Sequence, residues 1–303
     1  MAAGGRTHQR SASRLWPALA LPGTAWLVIF FVVPFYAIAA VAFGATDPLF
    51  GSPVPVWNPL QWQFGDLSRV LHRAVTGDLR PVFVRTFGYV AAALALCIVI
   101  GYPVAYYVAR LAGRRRGLLL ALILAPWWIN YLTRMLAWIN LLQPDGYVNR
   151  TLEATHLVSQ PVDWLGGHAY TVVIALAYGY LPFFIVPLFA TLDRIDGRLL
   201  EASRDLGIGG AGTFWHVTLP LSRQGLLTAA AITVLPMFAD YYTNTLVSGS
   251  PTTTMVGNQI EFYLLQSQEK GLGAALVLVL SVLLMALMAY YLIATQRASR
   301  ELS

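Results

Sequence analysis

One cysteine and one lysine occur among the 303 residues, and only 11% of the chain is charged. A lone Cys97 inside an apolar run offers neither a disulfide framework nor a cysteine-based metal site. The lone lysine, Lys270 in QEKGLG, is not followed by Ser or Thr, so the chain cannot carry a nucleotide-binding P-loop. The histidines at 8, 72, 156, 168 and 216 show no ligand spacing, and no metal is expected. No Gly-x-Ser-x-Gly, no paired carboxylates within an apolar run and no polar cluster at one membrane face are present, which argues against a hydrolase or an integral-membrane transferase.

Apolar residues make up 57% of the chain and mean hydropathy is +0.60, whereas soluble domains run about 45–50% apolar and about 25% charged. That excess fits an all-α polytopic membrane protein, because an apolar helix of roughly 20 residues crosses the hydrocarbon layer. Gaps between charged residues predict about six transmembrane helices: between Arg14 and Asp47, between Arg85 and Arg110, from Gly117 to about Leu142, between Gly166 and Leu192, from Gln224 to about Val247, and between Lys270 and Arg297. The first run exceeds the roughly 7–15-residue core of a secretory leader and reads as a retained span. Placing both termini in the cytoplasm puts Arg110, Arg114, Arg115, Arg116, Arg194, Arg198, Arg204 and Arg223 on the inner side, as the positive-inside rule requires. The net charge of +6 then reflects topology, and no nucleic-acid partner is implied. The expected organisation is a cytoplasmic tail over 1–14, one membrane domain over 15–296 with a cytoplasmic loop at 193–223, and a cytoplasmic tail over 297–303, all in the cell membrane.

Three stretches lie outside these spans. Residues 47–84 are rich in turn formers and then place Phe64, Leu67, Val70 and Leu71 at helical spacing, which predicts a short amphipathic outer helix. Residues 143–165 read as a second outer loop. The third, in the cytoplasmic loop, is EASRDLGIGGAGTFWHVTLP, in which Gly207, Gly209 and Gly212 satisfy G-x-G-x-x-G. A dinucleotide loop needs a buried strand before it, but the preceding LDRIDGRLLEASRDL has the pattern of an amphipathic helix. The segment therefore predicts a helix, a glycine turn, and an apolar stretch closed by a breaking Pro220, with Leu199, Leu200, Ala202, Ser203 and Leu206 on one side.

The same segment resembles the EAA loop of permease subunits of binding-protein-dependent ABC importers. Glu201 and Ala202 are followed by Ser203, the glycine is Gly207, Val217 stands at the isoleucine position, and Leu219-Pro220 close the motif. Ser203 and Val217 depart in identity while keeping size and apolar character. YLTRMLAWINLL (Tyr131 to Leu142), GYVNRTL and the run through LEASRDLG are further similar to the first permease subunit of spermidine/putrescine importers. ADYYTNTLVSG departs from that subfamily's Gly-Asp-Tyr-Val-Thr-Pro run, which weakens the choice of solute. The resemblance implies a type I ABC importer permease fold, a second permease subunit, an extracytoplasmic solute-binding protein and two ATPase subunits docking on the loop. ATP and Mg would sit on those partners, and this chain would hold no cofactor and catalyse nothing itself. Glu201, Ala202, Ser203, Arg204, Gly207, Leu219 and Pro220 are then the coupling residues.

Charged groups inside spans are the other signal, since a lone Arg or Asp at mid-helix costs roughly 2.5–3.5 kcal/mol on the mildest scale. Arg134 and Asp240 each stand 17 residues from the cytoplasmic end of their predicted helix, a shared depth of about 25 Å at ~1.5 Å per residue. Asp240 could meet a cationic amine beside the aromatic faces of Tyr241, Tyr131 and Trp138, with Asn244 nearby, while Arg134 could instead pair with Asp240 as a gate. A secondary carrier is the rival reading, but it would place buried ionisable residues in both of two repeats.

Overall fold

The computed structural model describes residues 19–47 and 53–300. The expected N-terminal tail, 1–14, and the last three residues of the expected C-terminal tail lie outside the described residues. The helices are α1 (Leu19–Ala42), α2 (Gly65–Val75), α3 (Arg80–Arg110), α4 (Arg116–Leu124), α5 (Tyr131–Leu142), α6 (Tyr147–Ala154), α7 (Ala169–Arg194), α8 (Gly197–Asp205), α9 (Gly210–Phe238), α10 (Tyr242–Val247), α11 (Val256–Glu261) and α12 (Lys270–Arg300). Among the described residues, five helices are long and apolar enough to cross a membrane, and the bent pair Gly113–Trp128 and Tyr131–Ala154 makes a sixth if counted as one span.

The chain forms two units. The described part of the first comprises residues up to His72 together with Phe262–Leu280. There α1 is followed by a minimal antiparallel hairpin, β1 (Ala45–Thr46) with β2 (Pro53–Val54). The chain folds back on the end of α1 through aromatic contacts: the Phe43 ring centroid lies 4.8 Å from Trp62 and 5.0 Å from Phe64. Tyr36 donates to the Trp57 carbonyl, and the Trp62 indole donates to Val56 O at 2.8 Å.

The second unit, Arg73–Glu261 with Ser281 onward, holds the core. In it α7 packs against both α3 and α9. On α3 the buried residues Val90, Ala93, Cys97, Gly101, Ala105 and Val108 recur every three or four positions, so one stripe faces inward. Gly101 is required by that packing, because a Cβ there would stand 2.7 Å from the Phe184 ring of α7. The Tyr102 hydroxyl meets Ser222 Oγ at 2.7 Å and thereby ties α3 to α9.

Several sequence expectations change. The third span is not one straight helix: the chain bends by 92° at Ile129–Asn130. Pro126 sits in a tight turn before the bend, and the Asn130 side chain accepts the Leu132 N–H at 2.9 Å, so the local chemistry starts a new helix. Arg134 is therefore not carried along a continuous helix from Gly117, and its depth does not follow from a 17-residue rise. The fifth span stops at Phe238, leaving Asp240 in the break before α10 rather than at mid-helix. Pro220 breaks nothing, since α9 runs unbroken from Gly210 through a π turn at Phe214–Thr218 into the membrane helix. The outer stretch 143–165 is not all loop but contains α6. The amphipathic helix expected after residue 64 is present as α2, with Val70 buried and Leu71 exposed.

Candidate functional site

Two groups of sequence-selected residues can be located. The first is the segment from α8 into α9. Asp196 caps α8 by accepting the Arg198 N–H at 3.0 Å. The helix ends in a double closure, with Ile208 N–H on Ser203 O at 3.1 Å and Gly207 N–H on Arg204 O at 2.8 Å. That closure requires the residue after the cap to be left-handed, and Gly207 has φ of +80°. Gly209 then caps α9. The three glycines thus serve a helix end and a helix start, and a helix rather than a strand precedes them.

Ser203 is buried, and its Oγ lies 3.0 Å from Thr213 Oγ1, which fastens α8 to the first turn of α9. Around this fastener Glu201, Ala202, Arg204 and Pro220 are exposed and Leu219 is half-buried. Leu206 is 80% and Trp215 63% exposed, so the apolar side expected of α8 is largely uncovered. The base of the segment is anchored by Arg110 Nη2, which donates to Ile195 O at 2.5 Å, and by Arg116 paired with Asp193 at 3.2 Å.

The second group surrounds the break after α9. Asp240 is 8% exposed. Its Oδ1 accepts the Thr243 N–H at 2.9 Å, and its Oδ2 accepts the Thr243 hydroxyl at 2.6 Å and the Tyr180 hydroxyl at 2.9 Å. Because the Thr243 proton is committed to Asp240, Tyr131 must be the donor in its own short bond to Thr243 Oγ1. The Tyr131 ring in turn lies 5.4 Å from the Arg134 guanidinium carbon. Arg134, Tyr131, Thr243, Asp240 and Tyr180 therefore form one connected chain. Trp138 stands apart from it, its ring tilted against Tyr178 at 5.0 Å, and Tyr241 stacks on Tyr242 at 4.2 Å. Asn244 is buried and donates to Asn258 Oδ1 at 2.8 Å. Among the described residues no cluster of His, Cys, Asp or Glu is placed to hold a metal.

Residues 98–300 match the family model of the binding-protein-dependent transport system inner membrane component. The chain belongs to this family. It is 30% identical to the spermidine/putrescine transport system permease protein PotB of Haemophilus influenzae, over 91% of this chain and 92% of that protein. It is 29% identical to PotB of Escherichia coli K12, over 92% and 95%. The fold matches a bacterial alginate ABC transporter solved in complex with an alginate pentasaccharide-bound periplasmic protein, with a TM-score of 0.71 at 16% identity, covering 97% of this chain and 98% of the other. The protein is thus an inner-membrane permease subunit of an ABC importer with the type I permease architecture.

Reasoning from this permease's sequence missed Tyr180, Thr243 and Asn258. Tyr180 was legible in part, since a phenol in the apolar run ALAYGYLPFF must find a polar partner when buried. Thr243 and Asn258 carry no such signal. Asn258 joins loops by donating to Tyr241 O at 3.0 Å and accepting from Met255 N at 3.0 Å, a tertiary arrangement with no spacing rule.

Proposed function

We propose that this permease lines, with a second permease subunit, a pathway for a small cationic amine of the polyamine class. An extracytoplasmic binding protein delivers the solute, and two ATPase subunits, carrying ATP and Mg, supply the work, one of them at the 193–223 loop. The chain has no nucleotide loop of its own, so energy must arrive through contact. The membrane domain is read as 15–296, with the flanking tails in the cytoplasm.

The observation that carries the coupling role is the fastening of α8 to α9. Glu201, Arg204, Leu206 and Trp215 offer an exposed charged and apolar face, while the Ser203–Thr213 contact joins that face to a single helix running to Phe238. At ~1.5 Å per residue, α9 spans about 43 Å. A push on α8 therefore reaches the Asp240 break without passing through a flexible loop, as rigid-body switching between two packings requires. At the break, Asp240 and the rings of Tyr131 and Tyr180 supply a negative charge and aromatic surfaces suited to an ammonium group. Polyamine chemistry is supported by the PotB relatives.

The test is solute-stimulated ATPase activity of the four-component importer in liposomes. Replacing Glu201 by Ala together with Gly207 by Ala is expected to leave basal hydrolysis of the ATPases intact and to abolish stimulation by solute-loaded binding protein. Unchanged stimulation would remove the coupling role from this loop.

A further inference from the structure

Arg134 is 9% exposed, and its Nε has no hydrogen-bond partner. Among the described residues no carboxylate forms an ion pair with it. Its guanidinium lies 5.5 Å from the Trp127 ring and 5.4 Å from the Tyr131 ring, and the Trp127 indole N–H is also buried without an acceptor. Both residues line a cavity of about 260 Å³, walled by Val104, Leu122, Pro126 and Tyr178.

Trp127 and Arg134 thus share the wall of a largely apolar cavity, and each carries a buried N–H with no acceptor. Arginine does not release its proton, so the charge persists, and a buried cation in a membrane span is tolerated when an anion or oriented dipoles answer it. Aromatic faces answer it in part. Asp240 does not do the rest: it forms no ion pair with Arg134, and its carboxylate accepts from Thr243 and Tyr180 instead. A cationic solute would bring a like charge.

We propose that in the assembled importer an acidic side chain of the second permease enters this cavity and pairs with Arg134, with its other carboxylate oxygen accepting the Trp127 N–H. The inference rests on the two-permease reading above. The surroundings suit such an insertion: the lining residue Leu122 is 58% exposed, and Trp128, Ile129 and Leu132, close in sequence to Trp127 and Arg134, are 86%, 51% and 46% exposed. This apolar collar would exclude water around the pair, as neutral contacts do around a buried interface anchor. An Arg–carboxylate contact of this kind would set the register of the two permeases, because a shifted partner would leave both charges unpaired.

The experiment uses the complete importer, purified with both permeases. Each Asp and Glu in the partner's spans is replaced by Asn or Gln, alone and combined with Arg134→Met. For one acid, each single change is expected to lower co-purification of the two permeases and putrescine uptake at least tenfold, and the double change is expected to lower them no further. Arg134→Glu combined with that acid→Arg should restore at least a third of uptake. Trp127→Phe, which keeps the ring and removes the N–H, should weaken co-purification severalfold in a chain of unchanged thermal stability. Additive losses for every acid, in a pair that still assembles, overturn the proposal. So does uptake of 4-aminobutyrate that Arg134→Met abolishes while sparing putrescine, since the anion would then belong to the solute. Failure of the unmodified chain to bind any second permease would overturn the two-permease reading instead.

Discussion

At Gly207 the backbone occupies a region that L residues enter at about 1–2 kcal/mol, so Gly207→Ala strains the turn that ends α8, while Gly207→Asn strains it less. Coupled ATPase activity of the reconstituted importer is expected to fall in the order Gly, Asn, Ala, and the reverse ranking of Asn and Ala would show that backbone conformation is not what the position contributes. At Asp240 the size of the effect depends on which atoms are left unpaired. Asp240→Ala strands the hydroxyls of Tyr180 and Thr243 at about 1–3 kcal/mol each, whereas Asp240→Asn keeps an acceptor and removes the charge. Thermal stability in detergent should therefore drop mainly in the Ala variant, and polyamine uptake in both. Uptake by the Asn variant at the unmodified rate would leave Asp240 a structural residue. Both positions stood out in the sequence, one by its place in the EAA spacing and one by its charge in an apolar run. Their partners were hidden, because Ser203–Thr213 and Asp240–Tyr180 are contacts across 10 and 60 residues.

The elements that depart from the sequence pattern do so where a side chain competes with the helix. Asn130 and Asp240 each capture an N–H two or three residues ahead, and each restarts the chain in a new helix inside what hydropathy shows as one apolar run. Asn130→Ala should remove about 1 kcal/mol of cap stabilisation and increase protease cleavage near Trp128; unchanged cleavage would assign the bend to Pro126 alone. On α3, Gly101→Leu would drive a branched side chain into Phe184, with an expected loss of about 1–3 kcal/mol or more, read as a lower melting temperature of the solubilised complex. The turn before α3 carries a bidentate pair, with Arg73 Nε and Nη2 at 2.8 and 2.6 Å from the Asp78 carboxylate. The Arg73 hydrogen bonds hold that carboxyl below its ordinary 3.8, so its contribution is present above about pH 3.8 and fades as pH falls through the lower folded value. The pair is largely exposed, and Asp78→Asn should change stability by only about 0–1 kcal/mol at neutral pH.

For the whole molecule, the importer reading requires that α8 face the cytoplasm. Cys97 is the only cysteine and is buried, so a cysteine placed at Glu201 in a Cys97→Ala background reports one position. An impermeant maleimide should label it in inside-out vesicles and not in intact spheroplasts, and ATPase subunits should protect it; the opposite pattern would invert the topology. The sequence by itself determined the membrane class and the number of apolar runs, and it marked the arginine-rich loops and the segment proposed for docking, because each follows from local composition or fixed spacing along the chain. It also excluded a P-loop within these 303 residues, since a missing Gly-Lys-Ser/Thr cannot be supplied by folding. Only the tertiary structure decided where the spans break, that Asp240 is held by Tyr180 and Thr243, and that Arg134 and Trp127, each with an unpaired N–H, line one cavity. Those facts depend on which side chains from α3, α5, α7 and α9 meet in space, and hydropathy, which averages along the chain, carries no record of such meetings.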